Sequence, residues 1–369
     1  MKPIPLVDLG AQHAAVAEDV AAGWAEVLAR TAFVGGPQVA AFEAEYAAFV
    51  GVPHCVGVAN GTDAIELALR ALGVRPGDEC VLPANTFVAT AEAVARAGAT
   101  PVLVDQADDG SYLIDVSAVD AVVSPRTRAI LPVHLYGQPA PVELLRPIAD
   151  RVGASIVEDA AQAQGARRHG AGAGALGDAA ATSFYPGKNL GAYGDAGAVL
   201  TGSAALAERV RLLREHGSPR RYEHSTLGFN SRLDTLQAVV LSAKLRRLAA
   251  WNSARRAAAA RYDALLSDVD GVTRPVTLAG NEHVWHLYVV RVPDRDRVLK
   301  ELQAAGIGAG IHYPTPVHLT SAFEYLGYRE GAFPAAEQAA TELLSLPLYA
   351  EITAAQQERV VATLAAALR

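Results

Sequence analysis

The segment Ser183-Phe184-Tyr185-Pro186-Gly187-Lys188-Asn189-Leu190-Gly191-Ala192-Tyr193-Gly194-Asp195-Ala196-Gly197 decides how the rest of the chain is read. It leaves an apolar run at 179–184, turns at Pro186-Gly187 and presents one lysine. Gly191, Gly194 and Gly197 then permit a tight return before a second apolar run at 198–200. A lysine on such a turn, at a strand end, is held near one point in space. That suits an amine that must form an imine with an aldehyde, because a free surface ammonium is protonated and mobile. Lysine is also scarce. Of 32 Lys and Arg residues only Lys2, Lys188, Lys244 and Lys300 are lysines, and only Lys188 lies in a Gly-rich turn. The plain alternative is a solvated loop lysine.

Upstream of this segment, apolar runs alternate with amphipathic stretches. The spacing predicts helices at 14–31 and 39–50, strands at 54–58, 79–82, 101–104, 127–133 and 155–158, and helices at 64–72, 90–97 and 141–152. Such alternation implies an α/β fold with a largely parallel sheet covered on both faces, a design that binds ligands at the carboxyl ends of its strands. Downstream, long helical patterns occupy 204–215 and 232–263. A strand at 285–292, a helix at 296–305, a short strand leading into His312-Tyr313 and helices to the end follow. We expect a large α/β domain over 1–245 and a smaller α+β domain over 246–369, divided inside the long helix.

With 369 residues the chain can bury a sizeable core. A net charge of −7 and the absence of a basic run exclude non-specific nucleic-acid binding. Cys55 and Cys80 have no metal-site spacing and read as buried thiols in a reducing compartment. Residues 1–10 lack the apolar core of a secretion signal and no run is long enough to span a bilayer, so the expectation is a cytoplasmic protein without membrane partners.

Four features fall at strand ends or turns. Asn60-Gly61-Thr62-Asp63 opens a helix, either as a plain cap or as a seat for a phosphate dianion. Phe87 follows a strand end, as a core residue or as a ring that stacks on a heteroaromatic ligand. Asp159 leaves an apolar strand, as a helix cap or as the partner of a pyridine nitrogen, which it would keep protonated. Lys188 follows 29 residues later, a separation that accommodates a crossover and a return strand. Together they fit pyridoxal phosphate (PLP) chemistry.

Val157-Glu158-Asp159-Ala160-Ala161-Gln162-Ala163, the Ser183–Gly191 segment and Gly228-Phe229-Asn230-Ser231-Arg232-Leu233-Asp234 closely resemble the DegT/StrS-type nucleotide-sugar aminotransferases, PLP enzymes of fold type I. The likeness extends from Pro5-Leu6-Val7-Asp8-Leu9 to Leu344-Ser345-Leu346-Pro347-Leu348. It implies a mostly parallel, seven-stranded large domain. It also implies Lys188 as the residue that captures the cofactor aldehyde and shuttles protons, Asp159 at the pyridine nitrogen, Gln162 at the ring hydroxyl and Phe87 stacked on the ring. Gly61, Thr62 and Ser183 would hold the phosphate, helped by Asn230 of a neighbouring subunit in a homodimer with shared sites.

Tyr185, the stretch Tyr222-Glu223-His224-Ser225 and His312-Tyr313-Pro314 resemble the branch that aminates C3 of dTDP-3-keto-6-deoxyhexoses. That likeness implies Tyr185, Arg221, His312 and Tyr313 in the sugar pocket, with L-glutamate as donor and pyridoxamine phosphate as the intermediate cofactor form. Ala196, Gln164 and Thr182 depart from the family pattern, and a methyl at Ala196 limits positive φ there. The alternatives are a 4-keto-sugar aminotransferase, a PLP-dependent sugar dehydratase, in whose branch the lysine position resembles His, and a catalytically dead binding or regulatory protein on the same scaffold.

Overall fold

Alternate side chains of each central strand enter different cores, which is why the strands read as continuous apolar runs. The computed structural model describes residues 2–369. Seven strands form one sheet: β1 (His54–Val58), β2 (Glu79–Pro83), β3 (Thr100–Val104), β4 (Thr127–Ile130), β5 (Ser155–Asp159), β6 (Ala179–Ser183) and β7 (Gly197–Thr201). Their spatial order is β1-β7-β6-β5-β4-β2-β3. Only β7 runs against its neighbours. On one face Leu82, Val157, Ala179 and Ala181 pack against helices α1 (Gly61–Ala71) and α2 (Val88–Ala97). On the other, Val81, Ile130 and Ile156 meet Leu145 and Ile148, while Ala180, Ala198 and Leu200 meet Phe42 and Tyr46.

Because β1, β2, β5 and β6 point the same way, their carboxyl ends meet at one edge. Residues 60–62, 86–87, 159–162 and 183–188 are gathered there although a hundred or so positions separate them. Two glycines make the approach possible. A Cβ on Gly197, where β7 enters this edge, would collide with the Asn60 carbonyl oxygen. One on Gly191 would collide with the Pro186 carbonyl oxygen, inside the turn that presents Lys188.

The long helix α3 (Thr235–Leu265) packs Ala238, Leu241 and Leu248 into the core beneath Phe184. Its distal part packs Ala258, Ala259 and Tyr262 into a second core with Val290, Leu344 and Val360. The second core covers an antiparallel pair, β8 (Tyr288–Arg291) and β9 (Leu343–Leu346).

Four local readings are corrected. The strand expected over 285–292 starts at Tyr288, because Trp285 adopts φ +50° and its N–H bonds His283 Nδ1. No strand leads into His312. Residues 307–310 make only isolated bridges, and the partner of β8 is β9, in a stretch read as helical. β4 ends at Ile130, beyond which the Pro132 carbonyl accepts the Asp159 N–H (2.9 Å). The first helix is two, Leu9–Ala14 and Ala17–Arg30. No helix among the described residues is long and apolar enough to cross a membrane.

Gly197→Ala should force the β7 end away from Asn60 and cost about 1–3 kcal/mol of stability, as overpacking does. A lowered denaturant midpoint, with weaker cofactor retention, is the expected readout; an unchanged midpoint would show that this edge can relax.

Candidate active site

A cavity of about 490 Å³ lies over the edge where the strand ends meet. Of the residues singled out in the sequence, Gly61, Thr62, Phe87, Asp159, Gln162, Ser183, Tyr185, Lys188, His312 and Tyr313 all line it. Arg221 and Asn230 do not. Both are exposed, Arg221 stacking over Tyr222 (4.9 Å) and Asn230 bridging Glu215.

At the start of α1, Asn60 Oδ1 accepts the Asp63 N–H (2.8 Å). That cap leaves the N–H groups of Gly61 and Thr62, at the cavity wall, for another acceptor. The segment is therefore a capped helix whose first free N–H groups can also receive an anion. Gly61 is required there, since a Cβ would lie 2.6 Å from Ser183 Cβ.

The adjacent carboxylates Glu158 and Asp159 have opposite tasks, because successive side chains of β5 point to opposite faces. Glu158 is fully buried and accepts the N–H groups of Gly174 (2.7 Å), Leu176 (2.8 Å) and Gly177 (2.7 Å). It also accepts His134 Nε2–H (2.7 Å), a tautomer set by the Ala140 N–H donated to Nδ1 (3.0 Å). It is spent on structure. Asp159 is 6% exposed and lines the cavity. Its Oδ2 accepts Thr90 Oγ1–H (2.7 Å) and its Oδ1 accepts the Ala161 N–H (3.1 Å). No Lys or Arg among the described residues forms an ion pair with it, so a buried carboxylate awaits a positive group.

Lys188 faces the same space. Burial lowers its amine to about 8, against the opposing pull of Asp159. An amine so depressed holds a far larger neutral fraction near physiological pH than an ordinary lysine, and that fraction can attack a carbonyl. Gln162 is orientated by the Tyr136 N–H donated to its Oε1 (2.6 Å) and donates Nε2–H to Tyr313 Oη (3.0 Å). Phe87 is half exposed into the cavity, and its ring lies 5.1 Å from that of Tyr313. His312 meets Ser345 Oγ (2.8 Å), and burial, followed by Lys188, pulls its imidazole down to about 4.

The sequence departures have defined places in the fold. Ala196 lies outside the left-handed region. Gln164 uses Nε2 to join Ala161 O (3.1 Å), Thr182 Oγ1 (3.0 Å) and Ser183 O (2.8 Å), bracing the ends of β5 and β6.

Three contributors were not read from the sequence. Thr90 stands one helical turn after Thr86, and the two hydroxyls bond each other (2.7 Å); that Thr-to-Thr spacing at a strand-end helix was the available signal. Tyr136 holds Gln162 and donates its hydroxyl to the His312 carbonyl, with no local cue. His286 lines the cavity from a stretch read as a strand.

An anion seat at a helix start, an exposed aromatic face, a buried carboxylate with only neutral donors and a lysine with a lowered pKa fit PLP. The fold and site define a PLP-dependent aminotransferase, and the solved structure of ntda from Bacillus subtilis, 31% identical to this chain, carries the cofactor as PMP. Residues 15–365 match the model of the DegT/DnrJ/EryC1/StrS aminotransferase family, and the chain belongs to that family. It is 49% identical over 363 residues to the erythromycin biosynthesis sensory transduction protein EryC1 of Saccharopolyspora erythraea, covering 98% of this chain and 99% of that one. It is 47% identical to the dTDP-3-amino-3,4,6-trideoxy-alpha-D-glucose transaminase of Streptomyces venezuelae, covering 97% and 94%. The crystal structure of S. venezuelae DesV in complex with a ketimine intermediate superposes with a TM-score of 0.97 at 46% identity, covering both chains fully.

Uptake of PLP by the cofactor-free protein should accelerate with pH, with a midpoint near about 8, as Lys188 loses its proton. Stopped-flow absorbance across about pH 6 to 10 would measure it; a flat profile would mean that the amine is not the titrating group.

Proposed function

We propose that this chain transfers an amino group from L-glutamate to C3 of a dTDP-3-keto-6-deoxyhexose, as a homodimer whose active sites draw on both protomers. The observation that carries the reading is the placement of Lys188 and Asp159 in one cavity, the first with a depressed pKa and the second buried without a cation. The regiochemistry is supported by His312 and Tyr313 in the same wall and by the printed name of the S. venezuelae transaminase.

When bound, PLP supplies an aldehyde that carries the amino group and a ring that withdraws electrons from the reacting carbon. Asp159 holds the pyridine nitrogen's proton, and Thr90 holds Asp159 in place. Gly61, Thr62 and Ser183 bind the phosphate, Phe87 covers the ring and Gln162 meets its hydroxyl. Lys188 Nζ would hold the aldehyde and, when free, would carry the proton between the cofactor and substrate carbons. Tyr185, His312 and Tyr313 orient the sugar.

The two-protomer arrangement is supported by charge. Lys188 is the only Lys or Arg among the described residues lining the cavity, yet a nucleotide diphosphate and a cofactor phosphate must be held. Arg221 stacks on Tyr222, and in the same stretch of chain Tyr222 and Leu227 are 81% and 93% exposed. Arg221 and Asn230 would serve the neighbouring protomer's cavity. EryC1 bears a regulatory name, but the intact Lys188 and Asp159 support catalysis here, and a lysine at position 188 disfavours a dehydratase.

Lys188→Ala should abolish both amino transfer and the bound-cofactor absorbance band; continued turnover would refute the assignment. In the reverse direction, with 2-oxoglutarate and a panel of dTDP- and UDP-amino sugars, 3-amino sugars should react, and exclusive use of 4-amino sugars would overturn the C3 reading. Mixed dimers of Lys188→Ala and Asn230→Ala subunits should recover about a quarter of wild-type activity, since half the dimers then hold one intact site. No recovery would place Asn230 in its own subunit's site, and full activity of Asn230→Ala alone would place it outside catalysis.

A further inference from the structure

His286 is a buried imidazole at the cavity wall to which nothing so far gives a task. Its backbone is pinned on several sides. Val284 N–H bonds the Gly137 carbonyl (2.9 Å) and Leu287 N–H the Tyr136 carbonyl (3.2 Å). Arg255 Nη1 donates to the Trp285 carbonyl (3.1 Å) and the Leu348 carbonyl (3.0 Å). Gly137 has no room for a side chain, since a Cβ would lie 2.8 Å from the His286 nitrogen.

The ring's tautomer follows from its partner. Asn189, the residue after Lys188, is 2% exposed, and its Nδ2 donates to Asn252 Oδ1 (3.0 Å) and to the Val284 carbonyl (3.0 Å). A backbone carbonyl can only accept, so the Asn189 amide cannot be flipped, and its Oδ1 faces His286 Nδ1 (3.2 Å). Asn252 is locked in turn by donating Nδ2–H to the Gln164 carbonyl (2.8 Å). His286 must therefore carry its proton on Nδ1, which leaves Nε2 as a lone-pair acceptor without a protein partner, on a ring that lines the cavity. Burial, then the charge of Lys188 and Arg255, opposes protonation of the ring. His286 is thus too weak a base to take protons, but it is a permanent neutral acceptor.

We propose that His286 is a substrate-positioning residue, whose Nε2 accepts a hydrogen bond from a hydroxyl or amino N–H of the sugar ring. The inference rests on the aminotransfer reading of the same cavity. It assigns to the wall that His312 and Leu287 share a group that selects hydrogen-bond donors and repels none by charge. A sugar lacking the donor at that position would leave Nε2 unpaired and bind more weakly.

Two variants separate the two ring nitrogens. His286→Asn places an amide near the Nδ1 position and can keep the Asn189 bond, but has nothing at Nε2. His286→Gln reaches the Nε2 position and can restore an acceptor. Both are tested as the PLP-loaded protein. The readouts are the bound-cofactor absorbance band, the glutamate half-reaction, and calorimetric binding of dTDP-3-amino-6-deoxyhexoses. For His286→Asn the band and the glutamate half-reaction should stay near wild type, while sugar-nucleotide affinity falls about tenfold, the worth of one hydrogen bond in a closed site. His286→Gln should recover part of that loss.

Unchanged sugar affinity in His286→Asn overturns the proposal. Equal damage to both half-reactions with the cofactor retained also overturns it, because His286 would then serve Lys188 and not the sugar. If wild-type protein binds no amino-sugar nucleotide, the aminotransfer reading falls and this inference with it, an outcome recognisable before any variant is made.

Discussion

A carboxylate held out of water with nothing but a hydroxyl and one amide N–H to bond it is the constraint from which the site follows. Asp159 is positioned by the backbone, through its own N–H on the Pro132 carbonyl and its carbonyl on the His134 N–H (3.0 Å), before its side chain is engaged at all. Thr90 and Ala161 satisfy part of its lone-pair capacity and supply no charge. Burying an anion this way is costly unless a cation arrives, so the fold carries an electrostatic demand here that a positively charged group would satisfy. The neighbouring Glu158 shows the contrast: one residue earlier, the same functional group is saturated by three backbone N–H groups and His134, and has nothing to offer a ligand.

Meeting that demand requires close packing of backbone. The phosphate seat, the lysine turn and the entry of β7 share one small volume. Gly61, Gly191 and Gly197 are the positions where a side chain would strike Ser183, Pro186 and Asn60. Alanines in the middle of β6 let helix α1 lie close to the sheet, which brings its N-terminus to the cavity. The lysine is affected by the same closeness. It is desolvated by the walls that position it, and its proton is correspondingly weakly held. Position and reactivity thus have a common cause.

The far wall comes from the C-terminal part of the chain. His286, Leu287, His312 and Tyr313 reach the cavity from the region of β8 and β9. They are tied to the first core by the Tyr136 backbone and hydroxyl and by the Asn189–Asn252 pair on the lysine turn and α3. The two walls of the cavity are therefore joined through buried amides, so the wall that carries His286 and His312 is braced against the loop that presents Lys188.

Much of this was legible in residue order alone. Alternating apolar runs gave the parallel sheet, because strands buried on both faces must be apolar throughout. The rule that such sheets bind at their carboxyl ends turned Asn60–Thr62, Phe87, Asp159 and Lys188 into one site. What could not be read were features whose meaning depends on a distant partner. Thr90 matters through Asp159, Tyr136 through Gln162 and the His312 carbonyl, and His286 through an Asn189 amide that is itself fixed by Asn252. The strand over 285–292 was overextended for the same reason: its apolar pattern continues, but Trp285 turns away to meet His283. Residue order determined which groups exist and which strand ends carry them, since periodicity and turn chemistry are local. Tertiary structure alone decided which carboxylate stays unpaired, which amine holds its proton less tightly and which imidazole nitrogen is left without a protein partner, because desolvation and hydrogen-bond partners belong to the folded surroundings.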